Sequence, residues 1–149
     1  MNSHTHRRAH AELPELADRL RRKSRKVTGP RHAILAALRR EAGPLTIREI
    51  FTALRKGDCD LATVYRAVRL LEEMQMVTRF DFGDGVARYE LLREGDDGHH
   101  HHLVCRSCSQ VVEIEECHIR DIESRLAAAN GFKSVTHRLE FFGVCPGCQ

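Results

Sequence analysis

Two identical cysteine pairs, Cys105-x-x-Cys108 and Cys145-x-x-Cys148, are separated by 36 residues. Each C-x-x-C turn presents two thiolates to one ion, and two such turns supply the four sulfurs that a tetrahedral zinc takes at about 2.3 Å. A redox dithiol needs only one pair, and a disulfide framework suits a small secreted domain with little core. The first pair follows four histidines, His99 to His102. If this tract is a strand, neighbouring side chains point to opposite faces, so His99 and His101 share one side and His100 and His102 the other. One tract can then serve two further ions. Imidazole and carboxylate donors suit zinc, iron or manganese at exchangeable affinity, whereas four thiolates hold zinc too tightly to sense it. The internal position of the tract, followed by Leu103-Val104-Cys105, distinguishes it from a purification tag.

The chain that must position these ligands has 149 residues, 42% of them hydrophobic, enough for two small cores. No apolar stretch approaches the roughly 20 residues of a membrane span, and Met1 to His10 is polar, so a soluble cytoplasmic protein is expected. In a reducing cytosol six cysteines argue for metal over disulfides. The net charge of +3 conceals a division: residues 1–76 carry 16 basic against 9 acidic side chains (+7), and residues 77–149 carry 8 against 12 (−4). Clustered cations on one module suit a polyanion, and the run Arg19, Arg21, Arg22, Lys23, Arg25, Lys26 supplies them; charge alone equally describes a solvated helix face.

The first half reads as helices with marked stops. Leu13, Leu16 and Leu20 give one helix an apolar stripe; Pro30 starts a second, carrying Ile34, Leu35 and Leu38. Gly43-Pro44 ends that helix, and Thr46-Ile47-Arg48-Glu49 is a capping box opening a third with Ile50, Phe51 and Leu54 inward. After the turn Gly57 to Asp60, Leu61, Val64, Val68 and Leu71 recur at helical spacing, leaving Thr63, Tyr65, Arg66 and Arg69 on or near the opposite face. That layout is a helix-turn-helix, whose second helix can contact phosphate, stack on thymine methyls or grip guanine. Tyr65 packed at the helix edge is the alternative. The β-rich runs Val77–Phe82 and Val86–Leu91, joined by Gly83-Asp84-Gly85, form a hairpin positioned as a wing.

In the second half, His101 to Arg106 and Gln110 to Glu115 are expected strands around the first cysteine pair. Ile119, Ile122 and Leu126 mark a helix stopping at Asn130-Gly131. Val135 to Val144 is an expected strand that delivers the second pair to the metal. The fold class is α+β: a winged helix-turn-helix domain over 1–92, a linker over 93–98, and a small α/β dimerisation domain with a four-cysteine zinc site over 99–149. Apolar strands with an exposed edge favour a homodimer.

The segments LATVYRAVRLLEE (61–73), DFGDGVARYEL (81–91), HHHHLVCRSC (99–108), GFKSVTH (131–137) and LEFFGVCPGC (139–148) resemble the ferric uptake regulator family over nearly the whole chain. The resemblance implies a dimeric, metal-responsive repressor of bacterial metal uptake genes that binds a double-stranded DNA operator. It matches Tyr65 and Arg66 to a recognition pair, Lys26 to a basic residue near the minor groove, and the four cysteines to a structural zinc site. Arg31, Thr63 and Arg69 complete the candidate DNA-binding set. By the same resemblance Glu90, His100 and His102 form a regulatory hinge site, and His99, His101 and His137 a second regulatory site that Cys117 joins.

Three departures bear on which ion is sensed. A hinge-site histidine of many relatives falls at or near Pro44, which cannot ligate. A glutamate at the start of the last helix corresponds to Arg120, again a non-ligand, while Cys117 lies one turn earlier. A thiolate there tilts the site from Fe(II) towards Zn(II), giving a zinc-responsive regulator in preference to an iron sensor; the other reading of Cys117 is a buried small hydrophobe. Cys59 is read as such a hydrophobe. A peroxide sensor of the same family is disfavoured by Pro44. A zinc-dependent enzyme is disfavoured because the H-E-x-x-H motif is absent and catalysis would not require a basic helix-turn-helix.

Overall fold

The computed structural model describes residues 12–23, 26–41, 43–92, 99–114 and 117–149. The chain forms two compact units, Met1–Gly98 and His99–Gln149. The expected linker 93–98, the polar start 1–10 and Arg25 lie outside the described residues. Among those residues no helix is long and apolar enough to cross a membrane.

The first unit holds α1 (Leu13–Arg22), α2 (Gly29–Arg40), β1 (Leu45–Thr46), α3 (Ile47–Ala53), α4 (Leu61–Glu73), β2 (Val77–Asp81) and β3 (Ala87–Leu91). The local signals act as their chemistry dictates. Thr28 precedes α2 with Pro30 in its first turn, and the Thr46 hydroxyl accepts from Glu49 N at 3.1 Å while the Glu49 carboxylate accepts from Thr46 N at 2.8 Å. Asp60 caps α4 by accepting from Thr63 N at 2.7 Å, and these hydrogen bonds, with Arg66 nearby, lower its pKa. The apolar stripes of α1, α2 and α4 meet in one core in which Leu20, Ile34, Ile50, Val64 and Leu71 have no exposure. Cys59 packs against this core, where burial, with Asp60 and Asp58 beside it, raises its thiol pKa.

The hairpin β2–β3 takes β1 on its other side, giving an antiparallel sheet of order β1-β3-β2. Its tip turns through Gly83 and Gly85, whose φ values of 83° and 72° lie where only glycine is unstrained. Helices α2, α3 and α4 followed by a hairpin of this kind are a winged helix.

Two expectations need correcting here. Phe51 is exposed rather than inward, because α3 is a short helix that commits Ile47 and Ile50 to the core. The basic run on α1 is not a uniform outward face. Arg19 is only 7% exposed, donating from Nη1 to Leu92 O at 2.6 Å and from Nη2 to Gln75 O at 3.3 Å, and Lys23 Nζ donates to Met74 O at 2.6 Å. Met74 and Gln75 carry carbonyls just past the end of α4, where a helix attracts cations.

The second unit holds β4 (His101–Cys105), β5 (Val111–Ile114), α5 (Arg120–Asn130), β6 (Glu140–Gly143) and a 3₁₀ turn (Pro146–Cys148). Its sheet order is β5-β4-β6, with β5 antiparallel and β6 parallel to β4. α5 ends at Gly131 in the left-handed conformation, φ 69°. The strand expected over Val135–Val144 is shorter: only Glu140–Gly143 joins the ladder, so His137 lies outside it. Among the described residues of this unit the buried side chains are His101, His102, Val104 and Cys105, while Leu103, Val112, Ile122, Leu126, Phe132, Phe141 and Phe142 are exposed. Histidine and cysteine thus occupy an interior where a larger domain would place aliphatic side chains.

Candidate metal centres and nucleic-acid interface

Parallel pairing explains how two cysteine pairs so far apart in sequence converge. β4 and β6 run the same way with Cys105 in register with Gly143, so the turns following both strands emerge at one end of the sheet. Arg106 N donates to Gly143 O at 2.8 Å across that end. The first turn closes through Ser109 N to Cys105 O, 3.0 Å, and the second through Cys148 N to Cys145 O, 2.9 Å. All six cysteines are free thiols, and the Sγ atoms of Cys105, Cys108, Cys145 and Cys148 lie within 4.8 Å of one another. Cys108 Sγ and Cys145 Sγ are 3.7 Å apart. A tetrahedron with metal–sulfur bonds of 2.3 Å has edges of about 3.8 Å, so the set fits a four-thiolate zinc.

Electrostatics point the same way. Backbone N–H groups of Cys145 and Cys108 hold the Cys105 thiol down at about 6, and the crowd of thiols, Cys145 and Cys108 foremost, pushes Cys148 up to about 12. The first proton leaves readily and the last does not, so a cation is what lets all four ionise together.

A second cluster brings together His99, His101, Cys117 and His137, whose ligand atoms also lie within 4.8 Å. The alternation read from the tract holds: His99 and His101 ring centroids are 5.1 Å apart, and both flank His137 at 4.6 and 5.0 Å. His101 Nε2 and His137 Nε2 are 3.3 Å apart, and Cys117 Sγ is 3.5 Å from His137 Nε2. Tetrahedral zinc with nitrogens at about 2.05 Å and sulfur at 2.3 Å requires edges of about 3.3 Å for N···N and 3.6 Å for S···N. Burial, with His137 and His99 close by, lowers the His101 pKa, which favours the neutral imidazole that a metal site requires. Pro44 is buried and Arg120 is exposed at the start of α5, so neither departure position offers a donor.

On the other face, His100 and His102 rings sit 4.8 Å apart. Glu113, opposite His102 in the β4–β5 ladder, brings Oε1 to 4.0 Å from His100 Nδ1. Sequence reasoning missed this carboxylate because β-register cannot be read from one chain. It also missed Glu123, whose Oε1 accepts from His137 Nδ1 at 2.8 Å. Glu90 belongs to β3 of the first unit, and His100 and His102 to the second.

The candidate nucleic-acid residues lie on α4, in the segment before α2 and in the first turn of α2. Tyr65 is 54% exposed, which removes the packed-edge alternative. Arg66 and Arg69 are exposed and Thr63 is half-buried. Arg66 Nη2 donates to Thr63 Oγ1 at 3.0 Å, and Arg69 Nε meets Glu73 Oε1 at 3.3 Å in an exposed pair that costs little to break. Lys26 is exposed, and Arg31 Nη1 donates to its carbonyl at 2.7 Å.

Comparison with known proteins decides the family. The model of the ferric uptake regulator family matches residues 22–142. The chain belongs to the ferric uptake regulator family. Members of this family are metal-responsive transcription regulators, not enzymes. The chain is 37% identical over 140 residues to the ferric uptake regulation protein of Bacillus subtilis (strain 168), covering 92% of this chain and 94% of that protein. It is similar to the solved ferric uptake regulator of Vibrio cholerae, at TM-score 0.72 and 29% identity, covering 87% of this chain and 99% of that one. It is likewise similar to a solved zinc-bound manganese uptake regulator, at TM-score 0.73 and 31% identity, covering 91% and 99%.

Proposed function

We propose that this member of the ferric uptake regulator family is a cytoplasmic, homodimeric, zinc-responsive repressor of metal uptake genes. The observation that carries the choice of ion is the His99–His101–Cys117–His137 cluster, whose edges of 3.3 and 3.5 Å match a tetrahedral site with three nitrogens and one sulfur. Thiolate donors and tetrahedral geometry favour Zn(II) over Fe(II) or Mn(II), which prefer more oxygen-rich, higher-coordinate sites. The four-cysteine set holds a structural zinc that supplies cohesion to a unit with almost no aliphatic interior. Glu90, His100 and His102 hold a further regulatory ion, with Glu113 beside the histidines. Thr63, Tyr65, Arg66 and Arg69 read the operator, and Lys26 and Arg31 meet its backbone. Leu103, Val112 and Phe141, opposite one another across β4, β5 and β6 and all exposed, support a second copy as partner, since an exposed apolar face marks an interface.

Metal binding shifts a population. Ions taken by the histidine sets favour the arrangement that spaces two recognition helices to match operator half-sites, and coupling energies of this kind are about 1–3 kcal/mol. The iron reading is favoured by the name of the Bacillus subtilis relative. The two separate in an operator titration with Zn(II), with Mn(II) as an iron surrogate, and with chelator. Zinc restoring operator binding at lower free concentration than manganese, and Cys117→Asp narrowing the gap, is the expected result. Equal or better response to manganese in the unaltered chain refutes zinc sensing.

A further inference from the structure

We infer that Glu123 is a positioning residue of the Cys117 site, holding the His137 ring by Nδ1 so that Nε2 presents its lone pair to the ion. The inference rests on the reading of His99, His101, Cys117 and His137 as an ion site and adds a residue to it.

A neutral imidazole carries one proton on two nitrogens, and a carboxylate only accepts. Glu123 Oε1, 2.8 Å from His137 Nδ1, therefore places the proton on Nδ1 and the lone pair on Nε2. That Nε2 is the atom lying 3.3 Å from His101 Nε2 and 3.5 Å from Cys117 Sγ. The carboxylate bonds the opposite edge of the ring, so it does not itself ligate an ion held at Nε2. The bond is sheltered, with side-chain exposures of 13% for His137 and 21% for Glu123.

The ring needs such a hold because its backbone does not provide one. β6 begins only at Glu140, leaving His137 outside the ladder that fixes His101. His101 uses a hydrogen bond with the Leu139 backbone, so the two rings are held by different partners, one a carbonyl and one a carboxylate. A carboxylate makes the imidazole a stronger donor, and loss of such a partner typically weakens metal affinity by about 10–100-fold. Glu123 also stands on the same segment as a ligand. Glu123 N and Ile122 N donate to Ile119 O at 3.0 and 2.9 Å, and Cys117 lies two residues before Ile119. The start of α5 thereby delivers both the thiolate and the group that aims the imidazole opposite it.

The test uses full-length protein retaining its structural zinc, with Co(II) as the probe, in the unaltered chain and in Glu123→Ala, Glu123→Gln, Cys117→Ser and His137→Ala. Co(II) affinity comes from chelator competition, and the His137 tautomer from ¹⁵N NMR before metal is added. Glu123→Ala should weaken Co(II) by about 10–100-fold while keeping the thiolate-to-cobalt band, and should release the ring from its single Nδ1–H tautomer. Glu123→Gln, which keeps an acceptor but loses the charge, should fall between; it decides the matter if the alanine variant loses its structural zinc. Affinity within about two-fold of the unaltered chain with the tautomer unchanged would overturn the role of Glu123. A thiolate-to-cobalt band that persists in Cys117→Ser would instead overturn the site on which the inference rests.

Discussion

Replacing Arg19 with methionine separates a structural cation from a nucleic-acid contact. Its Nη1 donates to Leu92 O at 2.6 Å and its Nη2 to Gln75 O at 3.3 Å, in a side chain only 7% exposed. Methionine keeps most of the volume, so the loss is of hydrogen bonds. A short charge-assisted bond contributes about 1.5–3 kcal/mol and a long one about 0.5–1, giving about 2–4 kcal/mol in all. For a unit of this size each kcal/mol moves the melting temperature by about 4–8 °C, so Arg19→Met should melt roughly 10–30 °C lower. Both tyrosines of the chain, Tyr65 and Tyr89, lie in the first unit and there is no tryptophan, so tyrosine fluorescence follows that unit alone. Below the melt, the slope of operator affinity against salt should be unchanged, because Arg19 faces carbonyls rather than phosphate. A melt within about 3 °C of the unaltered chain, or a salt slope smaller by about one, would refute the reasoning.

Arg66→Ala should weaken operator binding by about 1–3 kcal/mol and relax the sequence preference, whereas Lys26→Ala should weaken all sequences alike and reduce the salt slope by about one; competitive anisotropy with mutated operators distinguishes them. Cys105→Ser should leave residues 99–149 unfolded and free of tightly held zinc while tyrosine fluorescence still reports a folded first unit, as hydrogen exchange would map. At the wing tip Asp84, paired with the buried Arg88 at 2.7 Å, has its carboxyl held down at about 2, the Arg88 hydrogen bond being the largest cause. Because that pKa lies below the unfolded value near 3.8, the contribution of Asp84 is whole above that range and is lost as pH falls through about 2. Asp84→Asn should therefore remove part of the acid dependence of wing stability, measured by NMR of Gly83 and Gly85.

Helix starts were legible because they are set within a few residues: the Thr46–Glu49 box and the Asp60 cap act locally, and the 3.6-residue stripe of α4 fixes which face is left outside. The four cysteines were legible because two C-x-x-C turns restrict the chemistry whatever the path between them. What lay between was not. The strand read over 135–144 alternates in hydrophobicity, yet its first half stays outside the ladder, and only Glu140–Gly143 finds a partner in β4. Glu113 and Glu123 each reach a histidine through strand register or a helix approach, neither of which leaves a mark in local sequence. Arg19 failed in the opposite direction: a run of cations suggests an outer face, but two carbonyls distant in sequence had claimed one of them.

The most direct test follows metal content and operator binding together as a chelator is raised against the purified full-length protein. Operator binding should vanish as the first, weakly held zinc leaves, while one zinc per chain stays behind and its four thiols remain unreactive to alkylation. A folded chain that carries no tightly held zinc, or operator binding that persists until that last ion is gone, would contradict it.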